Sequence, residues 1–262
     1  MAFTAIPLDV PKNKGAVLIG GLASSMLSGF VYVQVVVYFK VYSSDMWQIK
    51  AVVASILFLD IVHSVFIWLV LWNYFITDFG LPDGVQDGHW EIGVIFIVTG
   101  ILIFLAHLFH SHRLFRLAKN KYLLTVPIVV IASVRLVLSI VGGAQLLRFQ
   151  TIFRWRTDVG WIFTTSLVLS AAVDVLLTIS LISILCLKKR GTPSLNAIVD
   201  LLMRYAFETA CVTCAGSLSS VFCWALMPRN LIFLGLYFVV AKLYSNSLLS
   251  TYGLFLDRPQ YF

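Results

Sequence analysis

Charged residues are scarce in this chain, and their scarcity sets its class. Only 12% of the 262 residues are Asp, Glu, Lys or Arg, whereas 60% are hydrophobic and the mean hydropathy is +0.94. A soluble domain carries about twice that share of charge. The composition therefore excludes an ordinary soluble domain and predicts an integral membrane protein.

Disulfides, glycosylation sequons and alternating strands are lacking as well. All four cysteines fall within long apolar stretches, so the sequence predicts no extracellular disulfide framework. No Asn-x-Ser/Thr sequon occurs. The apolar stretches are continuous, unlike the alternating segments of about ten residues that build a membrane β-barrel, so the pattern excludes that architecture.

Seven apolar stretches are each suited to a membrane span of about 20 residues. They cover residues 15–39, 51–75, 93–109, 122–147, 161–187, 202–227 and 231–252. The sequence predicts an all-α protein, with one domain over residues 1–262 formed by a bundle of seven transmembrane helices. We expect no cleaved signal peptide before the first stretch. Five tryptophans lie at the predicted span ends, as expected for an aromatic belt: Trp47, Trp72, Trp90, Trp155 and Trp161.

The distribution of Lys and Arg predicts the orientation of the bundle. With the N-terminus outside, eleven of the nineteen basic residues fall in inner segments and six in outer ones, while Arg135 and Lys242 lie within spans. The positive-inside rule therefore favours an outer N-terminus and an inner C-terminus. The loop 76–91 agrees, because it is acidic and holds no Lys or Arg. The loop 148–160 disagrees, because it is basic yet assigned to the outside.

The net charge of +7 arises mostly from the inner basic clusters. Such clusters face anionic membrane lipid, which accounts for the charge without nucleic acid as a partner. We expect a multi-pass protein of the plasma membrane or an endomembrane, with basic inner loops that could also engage a cytosolic partner.

Polar residues interrupt the apolar stretches near mid-depth, and these are the candidate ligand-binding residues: Asp60, His63, Arg135, Asp174, Lys242 and Asn246. Asp60 and His63 are three positions apart and so share a helix face, as do Lys242 and Asn246. A charge at the bilayer centre costs about 3 kcal/mol on insertion scales, so such groups face the bundle interior. Two readings stay open: ion pairs that fix helix register, or a hydrated pocket that binds a ligand.

Cofactor and metal signals are weak. A lysine in the seventh stretch is where rhodopsins attach retinal, but Phe238 stands one turn earlier, where microbial rhodopsins have a carboxylate. We therefore expect no cofactor. His107, His110 and His112 form a cluster without a nearby acid or cysteine, and are expected to be interfacial histidines. The Cys-x-x-Cys pair at 211–214 has no second pair, so we expect no metal.

Three functions stay open. The leading hypothesis is a receptor-like or sensory protein that binds a small lipophilic ligand among its helices. The alternative is a membrane-embedded enzyme, such as a cyclase or isomerase, acting on an isoprenoid-like substrate with Asp60, Asp174 or Glu208 as acid or base. The third is a transporter, which requires a water-lined path to both faces.

Short motifs along nearly the whole chain follow the order found in one family. Gly29, Gln34 and Tyr38 come first, then Asp60-Ile-Val-His63, and last Lys242-Leu-Tyr-Ser-Asn-Ser-Leu-Leu249. Together they resemble a large basidiomycete family of seven-helix membrane proteins that is catalogued as a domain of unknown function. The resemblance implies a fungal integral membrane protein with an outer N-terminus, and it implies no activity.

Overall fold

A computed structural model describes residues 10–79, 90–118, 122–148, 152–188, 193–227 and 230–256. Over these ranges the chain forms seven α-helices: α1 (Val10–Val41), α2 (Trp47–Trp72), α3 (Trp90–Leu117), α4 (Tyr122–Leu146), α5 (Ile152–Lys188), α6 (Pro193–Leu226) and α7 (Ile232–Leu256). A π-helical turn, Asn73–Thr77, continues α2. Each of the seven helices includes a stretch long and apolar enough to cross a membrane. The all-helical prediction is confirmed, and the architecture is that of a multi-pass membrane protein.

Successive helices run antiparallel, and α1 closes the bundle against α7. The bundle therefore has an N-terminal end, where α1 begins, and a C-terminal end, where α7 ends. In α3 and α7, 61% and 72% of the most apolar stretch is buried, against at most 39% in any other helix. These two helices occupy the centre, so side chains that project from them meet the most neighbours.

The first helix fixes the position of the central α7. Gly20 and Gly235 bring the two backbones into direct contact, because a Cβ added at Gly20 would collide with the backbone of Gly235. Small residues permit this approach. At the N-terminal end, the side-chain oxygen of Asn13 accepts a hydrogen bond of 2.7 Å from the backbone N–H of Leu231. This bond satisfies a donor at the start of α7 that has no partner within the helix.

Aromatic rings fill the N-terminal end of the bundle. Six of them form an aromatic cluster with centroid separations of 4.7–5.9 Å: Phe96, Trp155, Phe163, Trp224, Phe233 and Tyr237. All six are buried. The other half of the bundle is packed by aliphatic side chains, in one group around α1, α2, α3 and α7 and another around α3, α4 and α5.

Two helices begin nine residues before their predicted spans, α5 at Ile152 and α6 at Pro193. Helix α5 begins at Ile152, so most of the loop expected over residues 148–160 is helical. Trp155 explains this extension: it is fully buried and its Nε1 donates a 3.1 Å hydrogen bond to the carbonyl oxygen of Gly142. Trp155 therefore belongs to the core and not to an interfacial belt, whereas the other four belt tryptophans are more than half exposed. Residues 80–89 of the acidic loop lie outside the described ranges.

Candidate functional site

Buried polar side chains lie at mid-depth in the bundle, on the C-terminal side of the aromatic cluster. Eight of them form this polar layer: Asp60, His63, Thr99, Arg135, Ser170, Asp174, Lys242 and Tyr244. Each lies where its helix passes from the N-terminal half of the core to the aliphatic half. The layer contains two groups, a His63–Thr99 pair and a separate arginine, and His107 and Cys214 join the second group.

The first group is a salt bridge between Lys242 of α7 and Asp60 of α2. The Nζ atom of Lys242 lies 2.9 Å from Oδ1 of Asp60, 2.9 Å from the backbone oxygen of Asp60 and 2.8 Å from Oγ of Ser64. Both side chains of the ion pair are 0% exposed. An ammonium group has three N–H donors, and here each one has an acceptor. Lys242 therefore has no donor left for a ligand.

His63 and Asn246 flank this ion pair but serve other contacts. The Nε2 atom of His63 lies 3.0 Å from Oγ1 of Thr99, which joins α2 to α3. The Nδ2 atom of Asn246 donates to the backbone oxygens of Leu27, at 3.1 Å, and Lys242, at 2.8 Å. Asn246 thereby joins α7 to α1, and both predicted ligand-binding residues act here as links between helices.

Arg135 of α4 is fully buried yet lacks a counter-charge. Its Nη1 donates a 3.0 Å hydrogen bond to the backbone oxygen of Gly100, while Nε and Nη2 have no hydrogen-bond partner. Within the described ranges, no carboxylate lies within 4.0 Å of the guanidinium. The hydroxyl of Tyr237 interacts with Arg135 and with Ser139. Arg135 thus belongs to the layer but to neither group.

The second group, the Asp174 cluster, joins four helices at one carboxylate. Oδ1 of Asp174 lies 3.1 Å from Nε2 of His107, and Oδ2 accepts a hydrogen bond from the hydroxyl of Tyr244. The Tyr244 hydroxyl also lies 3.1 Å from Oγ of Ser170, and the thiol of Cys214 lies 4.0 Å from Oδ2. These contacts bring α3, α5, α6 and α7 together.

A cavity of about 40 Å³ leads from Asp174 toward the C-terminal end. Six residues supply hydroxyl groups to its lining: Thr178, Thr209, Thr213, Tyr244, Ser247 and Thr251. His110 and Arg113 line the part nearer the end of α3. A water molecule needs roughly 10–15 Å³ of such volume, so the cavity has room for a few waters or one small hydrated ligand.

A second concavity of about 510 Å³ lies on the outer surface between α1 and α2. Its lining is mostly apolar, with Trp68 and Trp72 on one side and Tyr32 on the other. Ser64 also lines it, but the Ser64 hydroxyl already donates to the backbone oxygen of Asp60 and accepts from Lys242. This groove therefore presents a mostly apolar surface.

Glu208, the third acid considered for catalysis, lies outside the polar layer. Its side chain is 57% exposed and accepts a 2.9 Å hydrogen bond from Nε of Arg204, one turn earlier on α6. Asp60 and Asp174 are both in the layer, but each belongs to a different group. The structure does not bring the three acids into one site.

His107 and Tyr244 are site residues that the sequence reasoning missed. His107 was expected at the interface with His110 and His112, yet it is fully buried against Asp174. The spacing held a signal, because His107 follows Thr99 by eight positions and so lies on the same buried face of α3. Tyr244 follows Lys242 by two positions, which places it on a different face of α7.

A family described as "Family of unknown function (DUF6534)" matches residues 170–254. The matched segment includes Asp174, Cys214, Lys242 and Tyr244, and so covers parts of both groups of the polar layer. The expected similarity to a family of unknown function is confirmed for this third of the chain, while fungal origin stays a prediction. No curated protein matches the chain.

Proposed function

We propose that this membrane protein is receptor-like or sensory and that its small ligand binds at the Asp174 cluster. The observation that carries the proposal is the hydroxyl-lined cavity leading to a buried carboxylate shared by four helices. At the Lys242–Asp60 pair, in contrast, all three N–H donors of Lys242 are used, and only Oδ2 of Asp60, which is buried, has no hydrogen-bond partner among the described residues. We assign this pair the role of a structural lock between α2 and α7.

Ligand binding at Asp174 would be communicated through the helices that contact it. A ligand shifts a conformational equilibrium only if it interacts differently with the two states. A group that takes over an acceptor position of Asp174 competes with His107 on α3, Tyr244 on α7 and Cys214 on α6. A ligand would therefore change the positions of α3, α6 and α7 relative to one another.

The lining favours a different ligand from the lipophilic one expected from the sequence. Hydroxyl groups and a carboxylate favour a polar ligand that forms hydrogen bonds with them. The cavity is also too small for an isoprenoid-like molecule. In the proposed orientation, with the N-terminus outside, the cavity opens toward the inner face. The basic inner segments there would contact membrane lipid and a cytosolic partner.

The enzyme and transporter alternatives have less support. Asp60 is held by Lys242 and Glu208 faces outward beside Arg204, so Asp174 is the one candidate acid left beside a cavity. A transporter needs access from both ends, and the aromatic cluster occupies the N-terminal half of the bundle.

Native mass spectrometry of the purified protein tests the proposal, with Asp174→Asn as the site variant. Asp158→Asn is a matched control, because Asp158 is on the same helix but half exposed, and its contacts are with its neighbours Arg154 and Thr157 on α5. We expect the parent and the control to retain a small species that Asp174→Asn loses. Hydrogen exchange should then show slower exchange in α6 and α7 of the loaded protein. Equal retention by all three proteins, or exchange that does not respond to loading, would contradict the proposal.

A further inference from the structure

The Asp174 carboxylate keeps one acceptor position for a ligand. Asp174 is 6% exposed, and its oxygens receive hydrogen bonds from His107 and Tyr244 and a weak contact from the thiol of Cys214. A carboxylate offers about four acceptor positions. The fourth position is free to face the cavity, which Asp174 itself lines.

Three threonine hydroxyl groups of the cavity present oxygen lone pairs because their hydrogens are already used. Thr178 donates to the backbone oxygen of Asp174 at 2.7 Å, and Thr251 donates to that of Ser247 at 2.8 Å. Thr213 donates to backbone oxygens one turn earlier on α6, at 3.1 and 3.3 Å. A hydroxyl has a single hydrogen, so what remains for a ligand is its acceptor side. A lining of acceptors favours an occupant that brings positive charge.

The positive groups near the cavity do not outweigh Asp174. Arg113 lies six residues after His107, a rise of about 9 Å along α3. Arg113 lines the same cavity, but Coulomb energy falls with the inverse of distance, so a cation in contact with Asp174 is attracted by that carboxylate more strongly than it is repelled by a guanidinium farther along the cavity. His107 already contacts Asp174 through its Nε2 atom, at 3.1 Å. The balance favours a cation at the Asp174 end.

We infer that the cavity at Asp174 binds a small monovalent cation of the size of Na⁺. The inference rests on the proposed function and names the ligand class of the same site. Carboxylate and hydroxyl oxygens suit a hard cation. One carboxylate is too little charge for Ca²⁺, whose sites usually combine several carboxylates among 6–8 oxygen ligands. The volume of about 40 Å³ holds a cation with its waters but excludes an amine with large substituents.

Thermal unfolding in detergent tests this assignment, with NaCl, KCl and N-methylglucamine chloride compared at one ionic strength. A bound cation stabilises the folded state in proportion to the logarithm of its concentration once the site is saturated. We expect Na⁺ to raise the Tm of the parent above that in N-methylglucamine, K⁺ to do so less, and Asp174→Asn to lose the difference.

Thr213→Val provides a second, milder variant in case Asp174→Asn does not fold. It removes one oxygen of the lining and should shift the Na⁺ titration to at least several-fold higher concentration. Thr165→Val is the matched control, because Thr165 makes the same hydrogen bond to its own helix, at 2.8 Å, but is exposed on α5. The control should respond to Na⁺ as the parent does.

Three outcomes would overturn the assignment: equal Tm values in all three salts, equal effects of Na⁺ and K⁺, or an unchanged Na⁺ effect in both site variants. The result is separable from the sensory proposal. If Na⁺ binds but hydrogen exchange in α6 and α7 does not respond, the cation site stands and the sensory function fails. If an organic species is retained and Na⁺ has no effect, the cation site fails and the binding function stands.

Discussion

The ammonium nitrogen of Lys242 lies 2.9 Å from a carboxylate oxygen of Asp60 and 2.9 Å from the backbone oxygen of the same residue. Removing two charges from water costs several kcal/mol per ion, and only close geometry with satisfied hydrogen bonds offsets that cost. Ser64 completes the arrangement by accepting the third N–H. The pair therefore fixes α7 against α2, and losing one partner should cost far more than losing both.

Replacing Lys242 with Met should lower the free energy of unfolding by about 3–5 kcal/mol, because Asp60 would remain buried and uncompensated. The double variant Lys242→Met, Asp60→Leu should recover most of that loss. Both are measured by reversible unfolding in detergent. A double variant no more stable than the single one would contradict the lock.

The exposed pair Arg204–Glu208 is the matched control for this double-mutant cycle. Its two side chains are 80% and 57% exposed, although the N–O distance of 2.9 Å equals that of the buried pair. Solvent screening limits such pairs to about 0–1 kcal/mol, so Glu208→Gln should change stability by less than about 1 kcal/mol.

Replacing Gly20 with Ala should destabilise the protein by about 1–3 kcal/mol, because the added methyl group forces α1 away from the backbone of Gly235. Gly29→Ala on the same helix is the control, since a Cβ there has nothing within 4 Å. That change should be neutral or stabilising by up to about 1 kcal/mol, the helix preference of Ala over Gly. Chemical unfolding compares the two, and equal losses would contradict the contact.

Replacing Tyr244 with Phe should cost about 1–3 kcal/mol, because Asp174 loses a buried hydrogen-bond donor and Ser170 loses its partner. Tyr32→Phe is the control, because Tyr32 is 39% exposed in the groove between α1 and α2. Its effect should stay within about 0.5 kcal/mol. The same unfolding assay measures both changes. Similar effects at the two tyrosines would contradict a stabilising role of the Tyr244 hydroxyl in the Asp174 cluster.

Replacing Arg135 with Met should raise the free energy of unfolding by about 1–2 kcal/mol. The change removes a guanidinium that has no carboxylate partner among the described residues, which outweighs the hydrogen bond lost at Gly100 and the interaction lost with the Tyr237 hydroxyl. Unfolding in detergent shows directly whether the substitution raises or lowers the free energy of unfolding. A loss of stability instead would contradict this prediction.

The depth and helix faces of the polar residues followed from the sequence, but their partners did not. Hydropathy placed Asp60, Arg135, Asp174 and Lys242 near mid-depth, and all four lie in the polar layer. Which acid meets which base depends on helix neighbours, and the central position of α7 sets Lys242 beside Asp60. Glu208 shows the opposite case. Hydropathy does not reveal which face of α6 points outward, and Glu208 lies on that exposed face.

Trp155 shows the same dependence on tertiary packing. Basic residues around it predicted an outer loop, but the ring fills a space bounded by α3, α4 and α6, and this contact extends α5 toward the N-terminal end. Side-chain packing here overrides the local charge pattern.

The aromatic cluster also determines how the protein would respond to voltage. Rings fill the N-terminal half, whereas the polar cavity extends from Asp174 toward the C-terminal end, so the share of a transmembrane potential that falls across the rings lies beyond Asp174. A charge that crosses the whole membrane gains about 2.3 kcal/mol per 100 mV, and an ion that reaches Asp174 from the C-terminal end crosses only the remaining share of that field. Occupancy of Asp174 would then follow the ion concentration on one side of the membrane and respond to polarisation less than a site at the far end of the bundle.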